Sequence, residues 1–461
     1  MKKALKGGSI AFAAVLTLSA MAAIGTGCSE DKKIADPQKF IEEIKNNPQV
    51  DISLSSDLDF TGIEWEPLEY HGTLNGNGHT ISNITITKNE GSSIGIFSYG
   101  QLSVENLEIE NLSVNYFGEG KYIGGLVGYW GVNKNDFDNV FDEYIKDVKI
   151  SGTVNAMGAT YVGGVVGYQA DGESRYEYED DGGYSFYNVV SRMEVSGGSN
   201  VGGIVGRFSW EEDWQFSRSD FYNGVKNVKN YGSVTAIKEV AGGIVGETAD
   251  LAKYEGCVNY GEVKAQVKAG GIVGNAALTE LVGCSNEGKV RASGKTGLLE
   301  EGYAGGIVGY QTGGRIVECV NKGETSAKHK TCGGIVGCME DGKEILACTN
   351  SGAVDGDTYI GGIAGSLKGA NMLVSVCKNE GEIRGNNFIA GLIGGCLSNI
   401  GSIISNETLI ASITNCENAG NIYGNGEWID PFCGGVIWPT GTSENNTNTG
   451  ELYRNGVRIE Q

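Results

Sequence analysis

Three histidines, His71, His79 and His329, are the whole imidazole complement of the 461-residue chain. No His-Glu-x-x-His run occurs, so the helix-borne zinc site of that protease class is excluded. Carboxylates are plentiful, but acid–base work on a glycosidic bond needs two of them held together with a basic neighbour. Asp180-Asp181 is the sole adjacent aspartate pair, and neither Gly-His-Gly nor Arg-x-Lys accompanies it. His79 lies in the glycine-rich turn Gly76-Asn77-Gly78 and reads as structural. A zinc site wants close Cys or His pairs. Cys332 and Cys338 flank one glycine-rich unit, and Cys396 and Cys433 fall at similar phases. For these four both a disulfide and free thiols are open. No catalytic residue and no cofactor is assigned; the alternative is a polysaccharide-active enzyme whose carboxylates converge from distant segments.

Binding chemistry is better represented. Three segments, 129–144, 168–187 and 207–222, combine aromatic rings with acids. Trp130, Tyr176, Tyr178, Trp210, Trp214 and Phe216 are candidate ligand-binding residues, because such rings offer an apolar face with a polar handle. Asp136, Asp138, Asp180 and Asp181 are weak candidates for Ca²⁺, which takes oxygen ligands. The competing reading packs these rings against one another, with the acids facing water.

Something periodic must position these segments. The unit Gly-Gly-aliphatic-(Val or Ala)-Gly starts at Gly124, Gly163, Gly202, Gly242, Gly270, Gly305, Gly333 and Gly361, with degenerate copies at 94–98, 390–394 and 434–438. A second landmark, Cys-x-Asn-x-Gly, keeps phase with it at Cys257, Cys284, Cys319, Cys348, Cys377 and Cys416. Val228-x-Asn230-x-Gly232 is the same unit with valine for cysteine. Between landmarks lie β-favouring runs of three to five residues, broken by Gly, Asn and Ser. Glycine, at 75 residues, recurs too often for helices. Together these predict an all-β solenoid of about a dozen coils with parallel strands ~4.8 Å apart.

Each landmark then has an expected task. The glycines would turn a corner at positive φ, and alternation would send one aliphatic of the unit inward. The cysteines would stack as small buried residues carrying free thiols. The asparagines would occupy left-handed turns and stack as an amide ladder from Asn230 to Asn418. The three aromatic segments fall at one phase of the coil and should emerge one above another.

The Gly-Gly-Ile-Val-Gly unit at these intervals resembles the GLUG motif of bacterial surface proteins, including repeat regions of immunoglobulin-A-cleaving metalloproteases and adhesins. Residues 72–84, Gly-Thr-Leu-Asn-Gly-Asn-Gly-His-Thr-Ile-Ser-Asn-Ile, are similar to the entry coil of pectate-lyase-like proteins. The resemblance covers roughly residues 36–440 and implies a right-handed parallel β-helix on a bacterial surface. It implies no particular activity, since one fold hosts many functions.

The ends complete the layout. Residues 1–28 have the anatomy of a signal peptide: Lys2, Lys3 and Lys6, an uncharged apolar run from Ile10 to Ile24, then Gly25-Thr26-Gly27-Cys28. The run resembles a bacterial lipobox, with an aliphatic replaced at Gly25, and implies Cys28 as the lipid anchor. Plain secretion and an uncleaved anchor are the other readings. Residues 29–35 are a tether and 36–86 a cap and entry coil. Within the cap, Asp36-Pro37 starts a short amphipathic helix carrying Phe40, Ile41 and Ile44. Repeats occupy 87–440, and 441–461 are a C-terminal cap or tail. With 57 acidic against 35 basic residues, nucleic acid is not an expected partner. The expected partners are the cell envelope, through the anchor, and a glycan or surface protein. The expected function is adhesion or binding without catalysis, with a structural spacer as a further alternative.

Overall fold

In a computed structural model the described residues are 31–131, 143–171, 184–210, 223–249, 251–294, 302–369, 371–397, 411–426, 428–436 and 443–460. Residues 31–461 form one compact unit, a parallel β-helix. Its strands belong to three sheets, termed here sheet 1 (35 strands), sheet 2 (11 strands) and sheet 3 (12 strands).

One coil illustrates the rest. Ala252–Glu255, Val258–Asn259 and Val263–Ala265 lie in sheet 1, Lys268–Gly270 in sheet 2 and Val273–Ala277 in sheet 3. Each strand pairs in register with its counterpart one coil on: Asn259 with Asn286, Gly270 with Gly305, Val273 with Val308. A parallel sheet buries one face completely only if every coil offers apolar residues at the same phases. Ile244, Ile272, Ile307, Ile335 and Ile363 do so, and the residue after each is equally buried. Both aliphatics of the unit therefore point inward, not one. They flank the corner, and each is aimed at the core from the strand it opens or precedes.

The glycines also work differently from expectation. None of the repeat glycines has a φ in the left-handed region. They are glycine for lack of space. A β-carbon at Gly124 would run into the carbonyl oxygen of Val127, one at Gly125 into that of Gly164, and one at Gly128 into Ser93. In the central coils a β-carbon at Gly243 or Gly271 would also strike the ladder amide of Asn259 or Asn286.

The amide ladder runs from Asn230 to Asn448, one rung beyond the last predicted. Each Nδ2 donates to the Oδ1 of the next asparagine at 2.7–2.9 Å. The same Nδ2 reaches the carbonyl two residues ahead, as from Asn230 to Gly232 at 2.8 Å. Buried amides are thus paired along the whole axis, as burial of polar groups requires. The ladder asparagines are not left-handed. That conformation falls on the residue just before each cysteine or its equivalent: Asn227, Gly256, Gly283, Glu318, Ala347, Val376 and Asn415. The cysteines from Cys257 to Cys416 are buried, and Cys257 Sγ donates to Val225 O at 3.3 Å.

The helix Pro37–Asn46 caps the first coil. Asp36 Oδ1 accepts from Lys39 N at 2.9 Å, Phe40 and Ile44 are buried, and Phe40 meets Phe60 edge-on. The stretch expected as a tether enters the fold early: Lys32–Ile34 pairs with Ile52–Leu54 as the first strand of sheet 1. At the other end, 443–460 is more than a tail. Ser443–Glu444, Thr447–Asn448 and Leu452–Arg454 continue sheet 1. Val457–Ile459 then folds back antiparallel across a left-handed Asn455-Gly456 turn. That hairpin occupies the open sheet edge.

Candidate functional site

The three aromatic-acidic segments do leave from one corner. Their roots follow the sheet 3 strands Val127–Trp130, Val166–Asp171 and Val205–Trp210, which pair in register, Tyr129 with Tyr168 and Tyr168 with Arg207. The strands extend further than the segment bounds drawn from sequence. Trp130 is corrected by this placement. It is 3 % exposed, its Nε1 donates to Leu102 O at 3.0 Å, and Phe186 packs edge-on against it. Phe186 in turn meets Phe208. These rings are core, since strand pairing carries them inward. Tyr176, Tyr178, Trp214, Phe216, Asp136, Asp138, Asp180, Asp181 and Cys28 lie outside the described residues, as does the side chain of Trp210. Among the described residues no group of three or more His, Cys, Asp or Glu could hold a metal ion. His79 Nδ1 lies 3.2 Å from Asp57 Oδ1, which also accepts from Thr80 N.

A different feature gathers polar chemistry. Where sheet 2 meets sheet 3, their outer faces fold toward each other. The outer two glycines of the unit, such as Gly124 and Gly128, form the apex of this crease, because the two strands approach too closely there for a β-carbon, whereas the middle glycine faces the core. The crease walls are set by residues seven apart on either side of the glycine unit. Tyr122 meets Tyr129 at 5.1 Å between centroids, Tyr161 meets Tyr168 at 5.3 Å, and Tyr303 meets Tyr310 at 5.1 Å. Lys268 Nζ donates to Asn275 Oδ1 at 3.0 Å by the same spacing.

Along the axis the tyrosines stack in register. Tyr99, Tyr129 and Tyr168 are stacked 5.4 Å apart in turn, with nearly parallel ring planes, on sheet 3, and Tyr122 and Tyr161 are stacked at 5.8 Å on sheet 2. Arg207 closes this file: Nη1 donates to Tyr161 Oη at 2.8 Å, and Nε lies 3.6 Å from Glu247 Oε2. Toward the C-terminus a second aromatic file, Tyr359, Phe388 and Trp428, is stacked at 4.9 and 6.2 Å, with Trp428 57 % exposed. Gly395 and Gly435 sit opposite, where a β-carbon would strike the rings of Tyr359 and Phe388.

No family model matches the chain. No curated protein matches it. A crystal structure from Bacteroides ovatus, of a protein described provisionally as an immunoglobulin A1 protease, aligns with 92 % of this chain and 85 % of its own. The two are 14 % identical, with a TM-score of 0.28.

Sequence reading missed the crease because Tyr122 and Tyr129 belong to separate strands. Only the glycine apex makes them neighbours. The signal was present as the seven-residue spacing across each unit. Cys332 and Cys338 share that unit yet face opposite ways: Cys332 belongs to the core, Cys338 to a small cluster with Val267 and Tyr303 at the crease. Cys396 Sγ and Cys433 Sγ stand 3.9 Å apart on neighbouring coils.

Proposed function

We propose that this chain is a surface-anchored, non-catalytic β-helix of the GLUG-motif type that binds an extended glycan along the crease between sheets 2 and 3. The observation that carries the reading is the in-register file of half-buried tyrosines, Tyr99, Tyr122, Tyr129 and Tyr161 with Tyr168 beneath them. A site on paired strands is held more rigidly than one on loops. Tyrosine combines an apolar ring with a hydroxyl at little entropic cost on binding. A repeating ligand suits a wall that repeats every ~4.8 Å. Export and attachment through Cys28 complete the reading, on the strength of the leader-like residues 1–28.

Glycan-array binding by the mature protein tests it. The Tyr122→Phe/Tyr129→Phe variant removes two hydroxyls while keeping the rings, and is expected to weaken binding. The Trp210→Ala/Trp214→Ala variant reports on the third aromatic segment. Loss only in the latter would move the site out of the crease. Cleavage products in the same assay would replace the binding reading with a polysaccharide-active enzyme.

A further inference from the structure

One coil carries a contact across the crease unlike those on its neighbours. Tyrosines seven apart meet at residues 122 and 129, 161 and 168, and 303 and 310. On the coil of Lys268–Gly270 and Val273–Ala277 an amine faces a carboxamide instead. Lys268 Nζ donates to Asn275 Oδ1 at 3.0 Å, and Asn275 Nδ2 donates to Glu247 Oε1, also at 3.0 Å. The amide is therefore held from both ends, by an amine at its carbonyl and a carboxylate at its nitrogen. Lysines on the outer face of sheet 1 sit on carboxylates: Lys226 on Glu255, Lys264 on Glu262, Lys289 on Glu324 and Lys322 on Glu287.

Strand pairing fixes all three groups. Asn275 is in register with Glu247 on one side and Tyr310 on the other, and Lys268 with Val240 and Tyr303. Lys268 Nζ also lies 4.4 Å from the ring centre of Tyr310. Lys268, Asn275 and Glu247 are each half-buried. Arg207 Nε lies 3.6 Å from Glu247 Oε2, so it is Oε1 that serves the amide. Groups held on paired strands keep their mutual geometry. Holding a nucleophile against its target in this way replaces a bimolecular encounter with an intramolecular one, which favours reaction strongly.

We propose that Lys268 and Asn275 join through an isopeptide bond that the chain forms by itself, with Glu247 as the proton carrier. The neutral Lys268 Nζ attacks Asn275 Cγ. The Nζ–Cγ bond forms and the Cγ–Nδ2 bond breaks. One proton leaves Nζ for Glu247 and passes on to Nδ2, which departs as ammonia. Glu247 ends as it began, and no oxidant or reductant is needed. A carboxylate already bonded to the leaving nitrogen is placed for that transfer, as general acid–base catalysis requires. Escape of ammonia into solvent drives the step forward. The product ties sheet 2 to sheet 3 across one corner and replaces an amine with a neutral amide. It does not depend on whether the crease binds a glycan.

Peptide mass spectrometry of the mature protein tests it. The protein is folded, incubated, then denatured and digested with trypsin. Trypsin cuts after a free lysine, so the bond should abolish cutting after Lys268. Residues 265–289 should then appear as one peptide, lighter by one ammonia, with fragmentation linking Lys268 to Asn275. Lys268→Arg should lose no ammonia at this site. Glu247→Gln keeps the side-chain shape and should slow the cross-link about a hundredfold or more. Circular dichroism checks that both variants are folded. Complete cutting after Lys268 in the wild type, with no loss of mass, overturns the proposal. Loss of ammonia with Lys268 still cut also overturns it, since that is a succinimide at Asn275. Cross-linking at an undiminished rate in Glu247→Gln would sink the mechanism as drawn.

Discussion

The hydroxyl of Tyr184 donates to Glu255 Oε2 at 2.9 Å across 71 residues of chain. Tyr184 lies at the return of the second aromatic segment, and Glu255 sits two coils further on. The ring reaches it by crossing Gly224, where a β-carbon would strike it, and Lys226 Nζ lies 4.9 Å from the ring centre. Lys226 and Lys253 also pair with Glu255 at 2.9 and 3.0 Å. Those hydrogen bonds, Lys226 first, hold the Glu255 carboxyl at about 2 instead of its ordinary 4.5, against opposing burial.

A depressed carboxyl contributes stability above its unfolded pKa and loses it as pH falls toward its folded one. Glu255 should therefore support the fold fully at neutral pH and lose that support between about 4.5 and about 2. Glu255→Gln is expected to cost about 1 kcal/mol at neutral pH, allowing for solvent screening, and to flatten the acid limb of stability. Urea unfolding from pH 7 to pH 2.5 checks this. An acid limb identical to wild type would remove Glu255 from the account.

The two kinds of glycine should respond differently to alanine. Gly283 has φ +61 and open space around its β-position, so Gly283→Ala should cost about 1 kcal/mol from backbone conformation alone. At Gly271 the β-carbon meets the Gly306 carbonyl and the Asn286 amide, so Gly271→Ala should cost ~3 kcal/mol or more from overpacking. Denaturant midpoints for the pair test the ranking, and a reversed order would restore the turn explanation for the repeat glycines.

Removing one rung of the amide ladder takes one buried hydrogen bond from each neighbour, although Asn286 Nδ2 keeps Gly288 O and Asn350 Nδ2 keeps Gly352 O and Asn379. Asn321 accepts from Asn286 and donates to Asn350. Asn321→Ala should cost about 2–3 kcal/mol, the penalty for buried unsatisfied amides. Asn448 ends the ladder and is half-buried, so Asn448→Ala should cost less. Hydrogen exchange should show the loss of protection centred on coils next to residue 321, because solenoid repeats couple mainly to nearest neighbours.

Val376 holds a left-handed φ of 56° while 55 % exposed. A β-branched residue is strained there, and Asn415 fills the same place one coil later. Val376→Asn is expected to raise stability by about 1 kcal/mol, read as a higher melting temperature. An unchanged or lower melting temperature would count against strain at this turn.

Burial pushes the thiols of Cys257 and Cys319 well above their usual range. Since the thiolate is the reactive form, neither should be alkylated by iodoacetamide in the folded protein, and both should be alkylated once it is unfolded. Peptide mass spectrometry reads each site. Labelling in the native state at the unfolded rate would contradict the buried ladder.

Repetition alone determined the architecture. Gly-Gly-Ile-Val-Gly and Cys-x-Asn-x-Gly recur in phase, and a ladder of in-register parallel strands is the simplest structure that gives every copy the same surroundings. The capping helix was equally readable, because Asp36-Pro37 and the face of Phe40, Ile41 and Ile44 are local signals. Tertiary structure decided what the landmarks do. Whether Gly271 is glycine for its φ or for want of room depends on Gly306 and Asn286, one coil away. Whether Trp130 meets ligand or core depends on Phe186. That Tyr122 faces Tyr129 depends on the sharpness of a corner. Each is a contact between strands, and no spacing along one chain states how closely two strands approach.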